Sequence, residues 1–171
     1  GKGCKFIFNA LFGTDPRAII EIDESTPPQN LKPKVKSDIT LEPLFLSILV
    51  VDDGQENRIV VRAYLKKTGY DLTMAENGQI GFEKYKAGSF DLVLMDMRMP
   101  IMDGYTTTRM IREWEISKEK KPVPIIALTA HALKEDKQKC LAAGCSDYLS
   151  KPVKKKDLLN MINLYKAPKE G

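Results

Sequence analysis

The residues of this 171-residue chain that could do chemistry together are mostly carboxylates. Asp52 and Asp53 follow the apolar run Ser47-Ile48-Leu49-Val50-Val51, and Asp96 follows Phe90-Asp91-Leu92-Val93-Leu94-Met95. Thr129 closes the run Pro124-Ile125-Ile126-Ala127-Leu128, and Lys151 comes just after Ser146-Asp147-Tyr148-Leu149-Ser150. Three carboxylates at one site repel each other and remain ionised together only when a cation offsets them. Oxygen ligands without Cys or His point to Mg2+, which keeps several waters and pairs one or two carboxylates with a phosphate oxygen. A lysine and a hydroxyl on the same pocket suggest an anion that completes the site. Phosphoryl suits it, because its transfer depends on positioning and on neutralising charge; one of the carboxylates could itself be the acceptor.

The elements that would gather these residues are visible in the pattern of apolar runs. With Leu72-Thr73-Met74-Ala75 there are five short runs, each the length of a strand and apolar enough to be buried on both faces. Between and after them, helical spacing covers 55–68, 77–87, 104–117, 131–143 and 155–165, with Gly69, Gly88 and Gly144 as stops. Five repeats of strand then helix predict a parallel sheet covered on both sides by right-handed crossovers. Ligands in such folds bind outside the carboxyl ends of the strands. Asp52, Asp53, Asp96, Thr129 and Lys151 all fall at those ends.

Composition narrows the rest. Lys plus Arg number 27 against 23 Asp plus Glu and a single His, for a net charge of +4, with 43% hydrophobic and 29% charged residues. That is the make-up of an ordinary globular chain able to bury a core. No run reaches the roughly 18 apolar residues of a membrane span, and no secretory leader is evident. The expectation is a soluble, cytoplasmic segment making no membrane contact. Cys4, Cys140 and Cys145 are an odd count and too few, with one His, for a disulfide framework or a zinc site. Lys154, Lys155 and Lys156 lack interleaved aromatics and read as a solvated helix face, so no nucleic-acid partner is expected. Residues 13–45 hold five of the ten prolines and no periodic apolar pattern, and read as a linker.

Taken in order, Ile48-Leu49-Val50-Val51-Asp52-Asp53, Leu94-Met95-Asp96-Met97-Arg98-Met99-Pro100-Ile101-Met102-Asp103-Gly104, Ala127-Leu128-Thr129-Ala130 and Tyr148-Leu149-Ser150-Lys151-Pro152 resemble the receiver domain of two-component response regulators. The resemblance covers residues 46–166, and several motifs in the right order on the right strands make it specific. It implies an α/β, doubly wound, flavodoxin-like sheet of five parallel strands in the order 2-1-3-4-5. It also implies that Asp96 takes a phosphoryl group from a phosphohistidine, with Mg2+ held by Asp53, Asp96 and the backbone carbonyl of Arg98, and Asp52 acting largely through water. Lys151 would pair with a phosphoryl oxygen, Thr129 would reorient towards another, and Tyr148 would turn inward as a switch. Arg98 and His131 match positions that influence phosphate lifetime, and the Lys151-Pro152 bond would be cis. The helix from 55, with Ile59, Val60, Ala63 and Tyr64, matches the region that docks the phosphotransfer partner.

A second resemblance concerns residues 1–12. Gly1-Lys2-Gly3-Cys4-Lys5-Phe6-Ile7-Phe8-Asn9-Ala10-Leu11-Phe12 is similar to the last glycine motif and closing strand of a histidine-kinase ATP-binding domain, with Cys4 where serine is usual. It implies three parts: a kinase tail over 1–12, a linker over 13–45 and a receiver over 46–171. The parent would be a hybrid histidine kinase, of a kind that can be membrane-anchored, with its own kinase core and a histidine phosphotransfer protein as partners. No DNA-binding output domain is expected after the receiver, nor kinase turnover from this segment. The alternatives are a stand-alone single-domain response regulator, a pure interaction domain, and a haloacid-dehalogenase-type phosphatase. The last requires Asp-x-Asp on the first strand, where this chain has adjacent Asp52-Asp53.

Plainer readings cover other residues. Asp103 should cap the helix starting at Gly104, and Met95, Met97, Met99 and Met102 should be packing. Leu133, Cys140 and Leu141 are the expected anchors of the helix over 131–143. Gly54 departs from the polar residue more usual after the acidic pair, and a mild effect is expected.

Overall fold

The computed structural model describes residues 46–130 and 134–166. Along the chain, β1 (Ser47–Val51), α1 (Gln55–Leu65), β2 (Asp71–Ala75), α2 (Gly78–Ala87), β3 (Leu92–Asp96) and α3 (Gly104–Ser117) alternate as strand and helix. Then come β4 (Ile125–Thr129), α4 (Lys134–Ala143), β5 (Asp147–Ser150) and α5 (Lys155–Lys166). The sheet order is β2-β1-β3-β4-β5 and every pair is parallel. After β1 the chain first adds β2 on one side and then returns to place β3 on the other. The crevice between β1 and β3 is therefore the switch point of the sheet.

Strand alternation divides the core into two layers. Leu49, Val51, Val93, Met95, Ile125 and Ala127 face Tyr85 of α2, Ile111 of α3 and Cys140 of α4. Ile48, Val50, Leu92, Leu94, Ile126 and Leu128 face Val61 and Leu65 of α1 and Leu158 and Ile162 of α5. Each buried aliphatic side chain of this size contributes about 1.5–3 kcal/mol, which is why β1, β3 and β4 read as unbroken apolar runs. The edge strand β2 is only half-buried, and its run is correspondingly the weakest of the five.

The differences from the expected elements lie at their ends. Helix α1 stops at Leu65 rather than 68, because the Thr68 amide (3.0 Å) and hydroxyl (2.6 Å) both donate to the Leu65 carbonyl and close a tight turn. Strand β3 starts at Leu92 rather than Phe90: the Asp91 carboxylate accepts from the Ser47 amide at 2.8 Å, and the Phe90 ring stacks on Tyr85. Asn77 is not in α2 but caps it, accepting from the Ile80 amide at 2.9 Å. Gly144 stops α4 in the left-handed region at φ 104°, whereas Gly69, at φ 76°, closes the turn that follows α1 rather than the helix itself. Gly88 does not; it has an ordinary φ and donates back to the Lys84 carbonyl. Leu141 is not the anchor expected of it. It is 44% exposed, whereas Cys140 is fully buried and Ala143 nearly so, since adjacent helical positions cannot share the inward face. Leu133, His131, the expected kinase tail over 1–12 and the linker over 13–45 lie outside the described residues.

Candidate functional site

The strand register assembles the site. Val51 pairs with Met95, so the next residues, Asp52 and Asp96, leave the sheet side by side. Leu128 pairs with Asp96 and Thr129 with Ser150, which brings Thr129 and Lys151 to the same end. The Lys151 amide donates to the Thr129 carbonyl at 2.7 Å and fixes that junction. The Lys151-Pro152 bond is cis, in agreement with the resemblance.

Asp52 and Asp96 are buried, at 1% and 4% exposure, while Asp53 points outward; one oxygen from each carboxylate lies within 4.8 Å of the others. The Lys151 ammonium bridges two of them, at 2.8 Å from Asp52 Oδ2 and 2.6 Å from Asp96 Oδ2. Asp96 Oδ1 accepts from the Arg98 amide at 3.1 Å. The Arg98 side chain is exposed at the rim. Thr129 is buried at 5%. Tyr148 is half-buried against the core, with the Lys137 ammonium 5.0 Å from its ring centroid. Of the residues singled out from the sequence, Asp52, Asp53, Asp96, Arg98, Thr129 and Lys151 thus meet at one end of the sheet.

The loop after β3 is held by close contact. Gly104 approaches the Asp96 carbonyl so nearly that a Cβ would collide with that oxygen and with the Met97 methyl. Any side chain here would push the start of α3 away from Asp96. Asp103 caps α3 as expected, accepting from the Thr106 amide at 2.7 Å. Ile101 sits in this loop at φ 70°, a left-handed conformation that a β-branched residue rarely adopts.

Two residues that sequence reasoning missed hold the acidic turn. The Asn57 carboxamide donates to Asp52 Oδ1 at 2.9 Å, alongside the Gly54 amide at the same distance. The Arg58 guanidinium donates to the carbonyls of Asp52 (2.6 Å) and Asp53 (3.0 Å). The available signal was helical phase, because the first turn of α1 returns these side chains to the strand end they follow.

Electrostatically the site carries more negative than positive groups. Burial raises the Asp96 carboxyl above its ordinary value, and the neighbouring Asp52 charge adds to this; the Lys151 and Arg98 hydrogen bonds pull it back without fully offsetting the rise. Burial pulls the Lys151 ammonium down, but its bonds to Asp52 and Asp96 outweigh that and its pKa ends above the usual lysine value. Three carboxylates face one lysine, and all the side-chain donors are oxygens. That set fits a hard divalent cation such as Mg2+.

Residues 48–163 match the response regulator receiver domain family. The chain belongs to that family. The receiver is 44% identical over 122 residues to hybrid signal transduction histidine kinase G of Dictyostelium discoideum, covering 70% of this chain and 4% of the relative. It is 37% identical over 115 residues to the sensor histidine kinase GacS of Pseudomonas protegens, covering 67% of this chain and 12% of that one. The chain therefore spans only a small part of the length of these curated relatives. Among solved structures, the receiver domain of sensor histidine kinase PA1611 from Pseudomonas aeruginosa superposes with TM-score 0.63 at 40% identity, covering 70% of this chain and 96% of the other. That structure has a magnesium ion coordinated in its active-site cleft. The receiver domain of Saccharomyces cerevisiae Ssk1, crystallised with the histidine phosphotransfer protein Ypd1, gives TM-score 0.69 at 32% identity over 70% of this chain and 88% of that one. No helix among the described residues is long and apolar enough to cross a membrane.

Proposed function

We propose that this receiver is the phosphoacceptor of a two-component phosphorelay and that Asp96 carries the phosphoryl group. The observation that supports this most is the placement of Asp96: buried at a strand end, in hydrogen bond with Lys151, and beside two further carboxylates. In the step, an Asp96 carboxylate oxygen forms a bond to phosphorus while the phosphorus to nitrogen bond of a phosphohistidine breaks, and the electron pair leaves with the imidazole. Lys151 exchanges its bond to Asp96 Oδ2 for one to a phosphoryl oxygen. Thr129 turns its hydroxyl to a second oxygen, and Tyr148 moves inward as that space clears. The two conformations form a switch biased by the new anion.

Asp53, Asp96 and the Arg98 carbonyl would hold Mg2+, with Asp52 contributing through water. The ion would supply charge neutralisation of the phosphoryl oxygens. Exposed Ile59 and Val60 on α1, with Val60 lining the pocket that also holds Asp52 and Lys151, would form an apolar docking face for a histidine phosphotransfer protein. Likeness to hybrid kinases supports a parent of that kind, with residues 1–12 as the end of its ATP-binding domain and 13–45 as a linker, acting in the cytoplasm. Arg98 and His131 would tune how fast water removes the phosphoryl group.

Intact-protein mass after incubation with acetyl phosphate, with and without Mg2+, tests the reading. One phosphoryl adduct is expected on the wild type with Mg2+ and none on Asp96→Asn. No adduct under any condition, with fluoroberyllate trapping also negative, would overturn it. Donor hydrolysis with turnover would favour a phosphatase instead.

A further inference from the structure

Gly54 is the N-cap of α1, and no side chain caps that helix. Ser, Thr, Asp or Asn would ordinarily supply the missing acceptor there. Glycine is tolerated at an N-cap, and here the side chain it lacks leaves space beside the acidic turn. A Cβ on Gly54 would come within 2.7 Å of Asn57 Nδ2, 3.3 Å of Asn57 Cγ and 3.2 Å of Asp52 Oδ1. The space left by the absent side chain is the space the Asn57 carboxamide occupies. From there Asn57 donates to Asp52 Oδ1 at 2.9 Å, while Lys151 holds Oδ2 at 2.8 Å.

We infer that Gly54 and Asn57 act as one device that orients the Asp52 carboxylate for cation binding: Asn57 is the positioning residue, and Gly54 is the gap that admits it. Asp52 Oδ1 takes two donors, the Gly54 amide and Asn57, which fix the plane of the carboxylate and the direction of Oδ2. Both donors are neutral. They order the acidic cluster without adding a positive charge that would compete with a divalent cation, as a lysine or arginine at 57 would. Partners that orient a metal-facing group from behind are worth about 10–100-fold in metal affinity. Asn57 itself is exposed, so its loss leaves no cavity in the core.

This inference rests on the proposed Mg2+ site. Calorimetric titration of the full chain with MgCl2 tests it, with the metal-free melting temperature measured in parallel. Asn57→Ala and Gly54→Ala are each expected to weaken Mg2+ binding about tenfold with melting temperatures close to wild type. The Gly54→Ala/Asn57→Ala double variant is expected to bind no worse than Asn57→Ala alone, because both changes remove the same hydrogen bond. Independent roles would instead make the losses multiply, and that result overturns the coupling. Unchanged affinity in Asn57→Ala, or a loss of melting temperature with no loss of affinity, overturns the positioning role. Should Gly54→Ala fail to fold, Asn57→Ala decides alone. A wild type that binds no Mg2+ would instead sink the site reading on which the inference stands.

Discussion

Among the described residues, buried carboxylates organise two regions of this receiver, one at the strand ends and one between α2 and α3. In the second, Glu115 is 2% exposed. Its Oε1 accepts from the Tyr85 hydroxyl at 2.6 Å and the Val123 amide at 2.8 Å, and its Oε2 pairs with Arg112 at 2.6 Å. Arg112 in turn donates to the Gly144 carbonyl at 2.9 Å, joining α3 to the end of α4. One carboxylate there meets one guanidinium. At the strand ends three carboxylates gather and one ammonium pairs with two of them, Asp52 and Asp96. The chemistry of the groups is alike and the balance is opposite. A balanced cluster is complete and stiffens the fold, whereas an unbalanced one is costly until an added charge offsets it.

Removing Glu115 should separate the two roles most sharply. Glu115→Ala strips the Tyr85 hydroxyl and the Val123 amide of their acceptor and leaves Arg112 half-buried without its partner. A loss of about 3 kcal/mol in folding stability is expected, measured by urea unfolding. Burial, with the bond to Glu115, raises the Tyr85 phenol well above its ordinary pKa, so in the variant that phenol should titrate lower. Phosphorylation of the folded fraction at Asp96 should persist. A variant as stable as wild type would show that the cluster does not brace the helices.

At the strand ends the sign should reverse. Asp96 has a folded pKa above its unfolded value, so the folded state binds the proton more tightly and stability declines as pH rises through that interval. Below the unfolded pKa the contribution is fully present; above the folded one it is lost. Asp96→Asn removes the charge and should therefore raise the metal-free melting temperature at neutral pH by a few degrees while abolishing phosphorylation. The gain should shrink as the pH falls, and Mg2+ should narrow it by stabilising the wild type. A lower melting temperature for Asp96→Asn at neutral pH would mean that the Lys151 bond outweighs burial and the Asp52 charge.

The same contrast explains what could be read from the sequence. The strand-end cluster was legible because each of its residues interrupts an apolar run, and Asp96 between Met95 and Met97 has no packing role to play. Strand order and the two core layers followed from the runs and the resemblance. The Glu115 cluster left no such mark, since a glutamate in Arg112-Glu113-Trp114-Glu115 looks like any solvated helix residue. Only the fold shows that Tyr85, thirty positions earlier, reaches it. Asn57 escaped for a related reason. Its partner is set by the missing Cβ of Gly54, and an absence carries no pattern along a chain. The element ends that differed at Thr68, Asp91 and Asn77 each involve a local side-chain hydrogen bond that periodicity cannot register.

Backbone strain offers the last and smallest test of the comparison. Among the described residues, each region has one non-glycine residue in the left-handed conformation, Ile101 at φ 70° beside the acidic site and Glu119 at φ 51° after α3. Glu119 follows a helix end, where this conformation is common, and its amide donates to the Ile116 carbonyl at 3.1 Å. Ile101 is β-branched, 77% exposed, and recovers little by packing. Its conformation should therefore cost more than that of Glu119. Ile101→Asn, which tolerates the left-handed region, should raise stability by about 1 kcal/mol, whereas Glu119→Asn should gain only a few tenths. Denaturant midpoints of the two variants measure the difference directly. Equal gains would place no extra strain at the site, and a loss in Ile101→Asn would show that the isoleucine side chain, despite its exposure, holds the loop over Asp96 in place.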